Sequence, residues 1–266
     1  MTVLQTAETH TSCLLLGTRG HDPVVLKVIK RQGDEWHSGG ILQAFAGRGV
    51  VRVYEQVEGA VLLERAVPAE SLVRLALEGR DDEATAILAG IIQQMAGCVP
   101  PHECATVGDW AKGFEWYLTT GDQQISRGLV EDAFLCYTDL AASQRSTRLL
   151  HGDLHHYNVL SDARRGWLAI DPKGLIGEVE YEIGAMIRNP LEYPAFFTAR
   201  GTIETRLSRF SRTLNLNTER ALRWAFAQAV LSAVWDAEDG RTVDANSAPI
   251  RLAITLRDMV DFSSSQ

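Results

Sequence analysis

The sequence predicts a two-lobed α+β fold, with a small strand-rich lobe over residues 1–67 and a larger helical lobe over residues 68–266. Three observations predict it. Up to residue 66, apolar and β-branched runs alternate with turn residues, the pattern of short strands. After Pro68, apolar residues recur at three- to four-residue spacing, the helical period. One short strand pair, about 158–161 and 167–171, interrupts the helical part and carries a dense set of polar residues. A chain of 266 residues can form one large domain or two small lobes.

The elements follow in order. Val3 to Thr6 is a possible first strand, on a terminus that reads as short for a complete one. Thr11 to Thr18 is strand-like and ends at the turn Gly20-His21-Asp22-Pro23. Val24 to Ile29 is apolar and β-branched except at Lys27. Asp34 to Phe45 is helix-like, with a weak apolar face at Ile41, Leu42 and Phe45. Val50 to Tyr54 and Ala60 to Glu64 are strand-like, with a turn at Glu58-Gly59. Beyond Pro68, Ala84, Ile87, Leu88, Ile91, Ile92 and Met95 mark an amphipathic helix that Pro100-Pro101 stops. Further helical periodicity runs over about 108–119, 128–144, 203–214, 218–237 and 248–262. Ser263 to Gln266 read as a frayed tail.

Composition narrows the class. Hydrophobic residues make up 45% and charged residues 23%, ordinary values for a soluble globular protein. No apolar run reaches the ~20 residues of a membrane span, and no basic-then-apolar leader opens the chain. A cytoplasmic protein without a membrane partner is expected. Cys13, Cys98, Cys104 and Cys136 show no C-x-x-C spacing, so free thiols are expected and a zinc site is not. The net charge of −8 argues against a nucleic-acid partner. Residues 1–66 hold seven basic and seven acidic side chains, so the whole excess lies beyond them. An acidic surface there could steer a small cationic substrate or simply be solvated.

The chemistry concentrates in His151-Gly152-Asp153-Leu154-His155-His156-Tyr157-Asn158-Val159-Leu160. This is H-x-D-x-x-x-x-N between apolar runs, and Asp171 follows at the end of Trp167-Leu168-Ala169-Ile170. A base, then an amide ligand, then a carboxylate ligand is the order used in phosphoryl transfer. Asp153 can accept the proton of an attacking hydroxyl. Asn158 and Asp171 offer the oxygen ligands that Mg²⁺ prefers. A short hairpin would bring Asn158 and Asp171 to one wall of a cleft. Lys27, alone in an apolar strand, needs a partner because an unpaired buried ammonium is costly. Nucleotide phosphates and a helix glutamate, with Glu35 as the candidate, would serve. A glycine-rich phosphate loop is absent. Ala7 to Cys13 occupies its place, with Thr9, Thr11 and Ser12 as possible donors.

Other readings compete. His151, Asp153, His155 and His156 could gather a metal, although no H-x-H element is present. His151 reads better as a structural imidazole bonded to backbone, with His155 and His156 lining the cleft or facing water.

The stretch from Leu149 to Pro190, LLHGDLHHYNVL with the later DPKGLIGEVEYEIGAMIRNP, resembles the aminoglycoside phosphotransferase superfamily. Within it, the streptomycin 6-phosphotransferase or aminoglycoside/hydroxyurea resistance kinase family is the nearest match. VVLKVIK, GRGVVRVY, LLERA and LSAVWDAEDG extend the similarity, in order, from about Leu15 to Gly240. The resemblance implies a protein-kinase-like fold that uses ATP or another NTP with Mg²⁺. It implies Lys27 on the α/β phosphates, held by Glu35, and a hinge from Glu64 to Ala66 whose backbone meets adenine. It makes Asp153 the base and Asn158 and Asp171 the metal ligands. The acceptor would be an aminoglycoside such as streptomycin, against acidic residues of the helical lobe. Candidates are Glu178, Glu180, Glu182, Asp236, Glu238 and Asp239, with Trp235 packing on a sugar ring. A monomer or homodimer is expected. A metabolic small-molecule kinase and a catalytically inactive kinase-like binding protein are the alternatives. A protein kinase is disfavoured, because no A-P-E follows Asp171 and Pro190 comes too soon for an activation segment.

Overall fold

The structure, a computed structural model, describes residues 1–32, 36 and 38–260. Its first strands are antiparallel: β1 (Thr2–Glu8), β2 (Ser12–Arg19), β3 (Asp22–Ile29), β4 (Val53–Val57) and β5 (Ala60–Glu64), in the order β1-β2-β3-β5-β4. The first strand is complete, pairing with β2 from Thr2 opposite Thr18 to Glu8 opposite Cys13. That corrects the expectation of a truncated edge. Helix α1 (Ser38–Phe45) follows β3, and it buries Ile41, Leu42 and Phe45 as their spacing predicts. Glu35 lies outside the described residues.

Pro68–Ser71 forms β6, which the texture change after Pro68 hides. A four-residue strand carries no readable alternation, and its partner is distant in sequence. That partner is Val159–Asp162, with Pro68 opposite Asp162 and Ser71 opposite Leu160. Val159–Asp162 also pairs with Gly166–Ala169, which confirms the expected hairpin. Asp162 Oδ1 accepts from the backbone N–H groups of Arg164 and Arg165 at 2.9 Å each, an acidic cap that closes the turn. Helices α2 (Val73–Leu77) and α3 (Asp81–Met95) follow β6, and α3 buries the expected Ala84, Leu88, Ile91, Ile92 and Met95.

By packing, the chain forms two compact units. One joins Met1–Cys104 to Arg148–Leu175, and the other joins Ala105–Thr147 to the chain from Ile176 onward. These units do not follow the change of texture at 67/68, because α3 and the 159–169 hairpin belong with the sheet.

The second unit is helical: Lys112–Thr120, Arg127–Ala142, Val179–Ile187, Pro194–Phe197, Arg200–Leu214, Thr218–Glu238 and Ala248–Met259. Its core is aromatic. Trp224 meets Tyr137 and Tyr181 edge-on with centroids 5.0 Å away in each case, and Phe114 lies 5.6 Å from Tyr137. Such edge contacts add to the burial of large rings. Burial raises the pKa of the Tyr137 phenol, which donates to the Val107 carbonyl at 2.6 Å. The helix Val179–Ile187 escapes sequence reading because Tyr181 to Ile187 are all buried, so it shows no polar stripe. Gly184 lets it approach Thr218–Glu238, since a Cβ there would collide with the Gln228 amide.

Candidate active site

The loop from His151 to Asn158 is organised around His151. Its ring is fully buried, and Nε2 donates to the Ile170 carbonyl at 2.9 Å. Nδ1 accepts from the Asp153 backbone N–H at 3.3 Å. One proton on Nε2 satisfies both bonds, so the ring is neutral. Burial is the leading reason that its pKa is pushed down to about 4. The His151 carbonyl receives the backbone N–H groups of Lys173 and Gly174 at 2.9 and 3.0 Å. His151 thereby joins the segment carrying Asp153 to the segment carrying Asp171, the structural role expected for it. Gly152 has φ +81°, and a Cβ there would press on Leu175. Glycine removes both penalties.

The hairpin sets the other two residues. Its register places Val159 opposite Ala169, and the Ile170 N–H bonds to the Asn158 carbonyl at 2.9 Å. Asn158 therefore lies beside the residue that precedes Asp171. The Asn158 side-chain NH₂ donates to the Asp153 carbonyl at 2.9 Å, which turns its Oδ1 away from that bond. Asp171 has φ +55°, a left-handed conformation that a short polar side chain tolerates better than most. Its Oδ1 accepts from Lys27 Nζ at 2.9 Å. Lys27 is 4% exposed, whereas the Asp171 side chain is 46% exposed. The strand lysine thus delivers a desolvated charge to an accessible carboxylate.

Among the described residues, no group of three or more metal-ligating side chains converges. His155 is half-buried, and its Nε2 lies 3.6 Å from Asp153 Oδ2. His156 neither lines a cleft nor meets water: it is fully buried, with Nε2 3.8 Å from Asp81 Oδ1.

Glu64 is placed at the end of β5, and its side chain is structural. The buried carboxylate takes an ion pair from Arg165 and a backbone N–H bond from Arg52 at 3.0 Å. Ala66 is buried just beyond it. Arg165, which also donates to the Val50 carbonyl at 3.3 Å, went unread because nothing in its turn signals a distant glutamate. At the β1–β2 tip, Thr9 and Ser12 bond each other, with hydroxyl oxygens 2.8 Å apart and the Ser12 N–H on Thr9 Oγ1 at 2.9 Å. Those hydroxyls first serve the turn.

In the helical unit, the acidic candidates part company. Glu178 is 4% exposed, and its Oε1 accepts from Arg220 Nε at 2.5 Å and from the Trp224 indole N–H. A carboxylate so engaged is a core anchor, which corrects its assignment to a substrate. Glu182 is buried as well. Asp236 is accessible, paired with Arg241 at 2.7 Å, and Arg241 also reaches Asp239 at 2.8 Å. Trp235 is half-buried and meets Trp110 edge-on at 5.3 Å.

Residues 2–240 match the family model described as aminoglycoside/hydroxyurea antibiotic resistance kinase. The chain belongs to that family. The streptomycin 3''-kinase of Klebsiella pneumoniae is 37% identical over 242 residues, covering 87% of this chain and 86% of that protein. The streptomycin 6-kinase of Streptomyces griseus is 28% identical, over 80% of this chain and 69% of its own. Among solved structures, an aminoglycoside phosphotransferase in ternary complex with ADP and hygromycin B superposes with a TM-score of 0.69. That match is 19% identical and covers 96% of this chain and 93% of that one. A choline kinase from Streptococcus pneumoniae superposes at 0.67, with 16% identity over 96% and 94% of the two chains. The fold is therefore the kinase-like fold these proteins share, and the family makes the chain a phosphotransferase. No helix among the described residues is long and apolar enough to cross a membrane.

Proposed function

We propose that this kinase moves the γ-phosphate of ATP to a hydroxyl of an aminoglycoside, with streptomycin the first candidate, and that it uses Mg²⁺. The observation that carries the reading is the linked set Lys27, Asp153, Asn158 and Asp171, tied together by His151 and the 159–169 hairpin. The two streptomycin-kinase relatives support the acceptor class.

The donor set fits Mg²⁺. Asn158 and Asp171 supply only oxygen, and Mg²⁺ is usually held by one or two carboxylates with phosphates and waters completing the shell. Bound there, it would neutralise charge on the phosphate oxygens. Lys27 adds a positive charge from a dehydrated position, where its field is stronger than in water. Asp153 accepts the hydroxyl proton as the acceptor attacks in line. Glu35 is assigned to hold Lys27, and the backbone from Glu64 to Ala66 to meet adenine. By role rather than by packing unit, residues 1–67 are assigned to the nucleotide and 68–266 to catalysis and the acceptor. Trp235 and Asp236 carry the acceptor, a sugar face on the indole and a cationic group on the carboxylate. A cytoplasmic monomer or homodimer completes the reading.

The deciding experiment is coupled ADP release with streptomycin, with and without EDTA, and mass spectrometry of the product. Mg²⁺-dependent phosphorylation of streptomycin is expected. Turnover restricted to neutral or anionic metabolites would replace this reading with a metabolic kinase.

A further inference from the structure

The loop holds a histidine that the linked set does not use. His155 caps the short 3₁₀ turn His156–Asn158, and its Nδ1 accepts the Tyr157 backbone N–H at 3.3 Å. An imidazole nitrogen that accepts a hydrogen bond carries no proton, so the ring proton of His155 sits on Nε2. The nearest carboxylate oxygen is Asp153 Oδ2, at 3.6 Å. The Asn158 amide nitrogen lies 3.3 Å from the same nitrogen, but an amide NH₂ only donates and cannot accept the Nε2–H that an accepting Nδ1 requires. Among the described residues, Asp153 is the carboxylate within 4 Å of the Nε2–H. The 3.6 Å separation is longer than a hydrogen bond, and catalytic contacts commonly tighten when substrate binds. Tyr157 packs edge-on against the ring, with centroids 5.9 Å apart, which limits its swing.

We propose that His155 is a positioning residue for the base: its Nε2–H holds Asp153 Oδ2 and so helps set the direction in which the carboxylate meets the acceptor hydroxyl. This rests on the assignment of Asp153 as the base. A carboxylate that can rotate presents either oxygen in many directions. One that is tethered presents its oxygens in a defined direction. Orientation of this kind acts on the chemical step rather than on binding.

The cap and the tether use opposite edges of the ring, so they can be separated by substitution. His155→Asn keeps a side-chain acceptor for the Tyr157 N–H and deletes the Nε2 edge. His155→Gln restores an N–H near the Nε2 position. With streptomycin as acceptor, His155→Asn should keep the wild-type melting temperature and KM for ATP while kcat falls about tenfold, and His155→Gln should recover part of that loss. In an Asp153→Asn background, His155→Asn should cost nothing further, because two residues acting as one unit are not additive. Unchanged kcat in His155→Asn with a crippled Asp153→Asn would overturn the tether and leave the base assignment standing. Full activity in Asp153→Asn would overturn the base instead. Independently of any acceptor, ¹⁵N spectra of the wild-type ring, assigned by its loss in His155→Asn, should show the Nε2–H tautomer. An Nδ1–H tautomer would reject the proposal.

Discussion

The carboxylates of the loop and hairpin and those of the helical unit do opposite work, although both looked functional in sequence. Asp171 is accessible and meets Lys27, and Asp153 is partly open beside His155. Their neighbours hold the backbone around them, and both carboxylates keep some exposure. Glu178 and Glu182 are buried, and Glu178 is taken up by Arg220 and Trp224. An acidic residue becomes reactive or structural according to what its environment asks of its oxygens. Asp236, paired with Arg241, keeps partial exposure in the helical unit, as does Asp239 on the same arginine.

The largest effect that would test this contrast is at Asp171. Asp171→Ala should abolish turnover, because it withdraws the proposed metal ligand and the partner of Lys27 together. A folded Asp171→Ala protein with wild-type turnover in the ADP-release assay would end the assignment. Next comes Asp153→Asn, which should lower kcat by ~10²–10⁴-fold, the usual range for general-base catalysis, with KM for ATP little changed. Steady-state kinetics with ATP varied reads both constants.

Glu178→Ala should act on stability instead. It strands a guanidinium and an indole N–H, a loss of about 3 kcal/mol on the scale of broken buried pairs. Denaturant unfolding measures it. A stable Glu178→Ala protein with a raised KM for streptomycin would return Glu178 to the substrate and erase the contrast.

His151 predicts a pH dependence of similar size. Its folded pKa of about 4 lies below the ~6.5 of an unfolded histidine, so the unfolded chain takes up the proton first. Its contribution is therefore whole above about pH 6.5 and is lost as pH falls towards 4, on the order of 3 kcal/mol. Replacing His151 with Gln should flatten that part of the stability–pH curve.

The smallest effect belongs to Asp236. Asp236→Asn should raise KM for a cationic acceptor a few-fold without moving KM for ATP, and added salt should shrink the difference, since exposed charges are screened within ~10 Å at 0.1 M.

Much of the site was legible because its members are close in sequence and their types are chemically constrained. Asp153, Asn158 and Asp171 lie on one loop and one hairpin, and the hairpin register follows from two apolar runs separated by a turn. His151 was legible as structural for the same reason. His155 was not, because its ring direction depends on the Tyr157 N–H, which spacing does not reveal. Arg165 on Glu64 and Arg220 on Glu178 were invisible, since each pair spans more than forty positions of sequence.

By itself, the sequence determined the strand-rich beginning, the helical remainder, the order of the phosphoryl-transfer residues and the placement of the buried stripes of α1 and α3. Periodicity and local turn chemistry operate over a few residues, so they can be read without a structure. Tertiary structure alone decided that β6 joins the distant 159–162 strand, that Val179–Ile187 is a helix buried all round, and that Glu178 anchors a core while Asp171 stays open. Each of those depends on which remote donors and apolar faces close around a residue. Burial and partner choice are properties of the packed chain, and no local pattern encodes them.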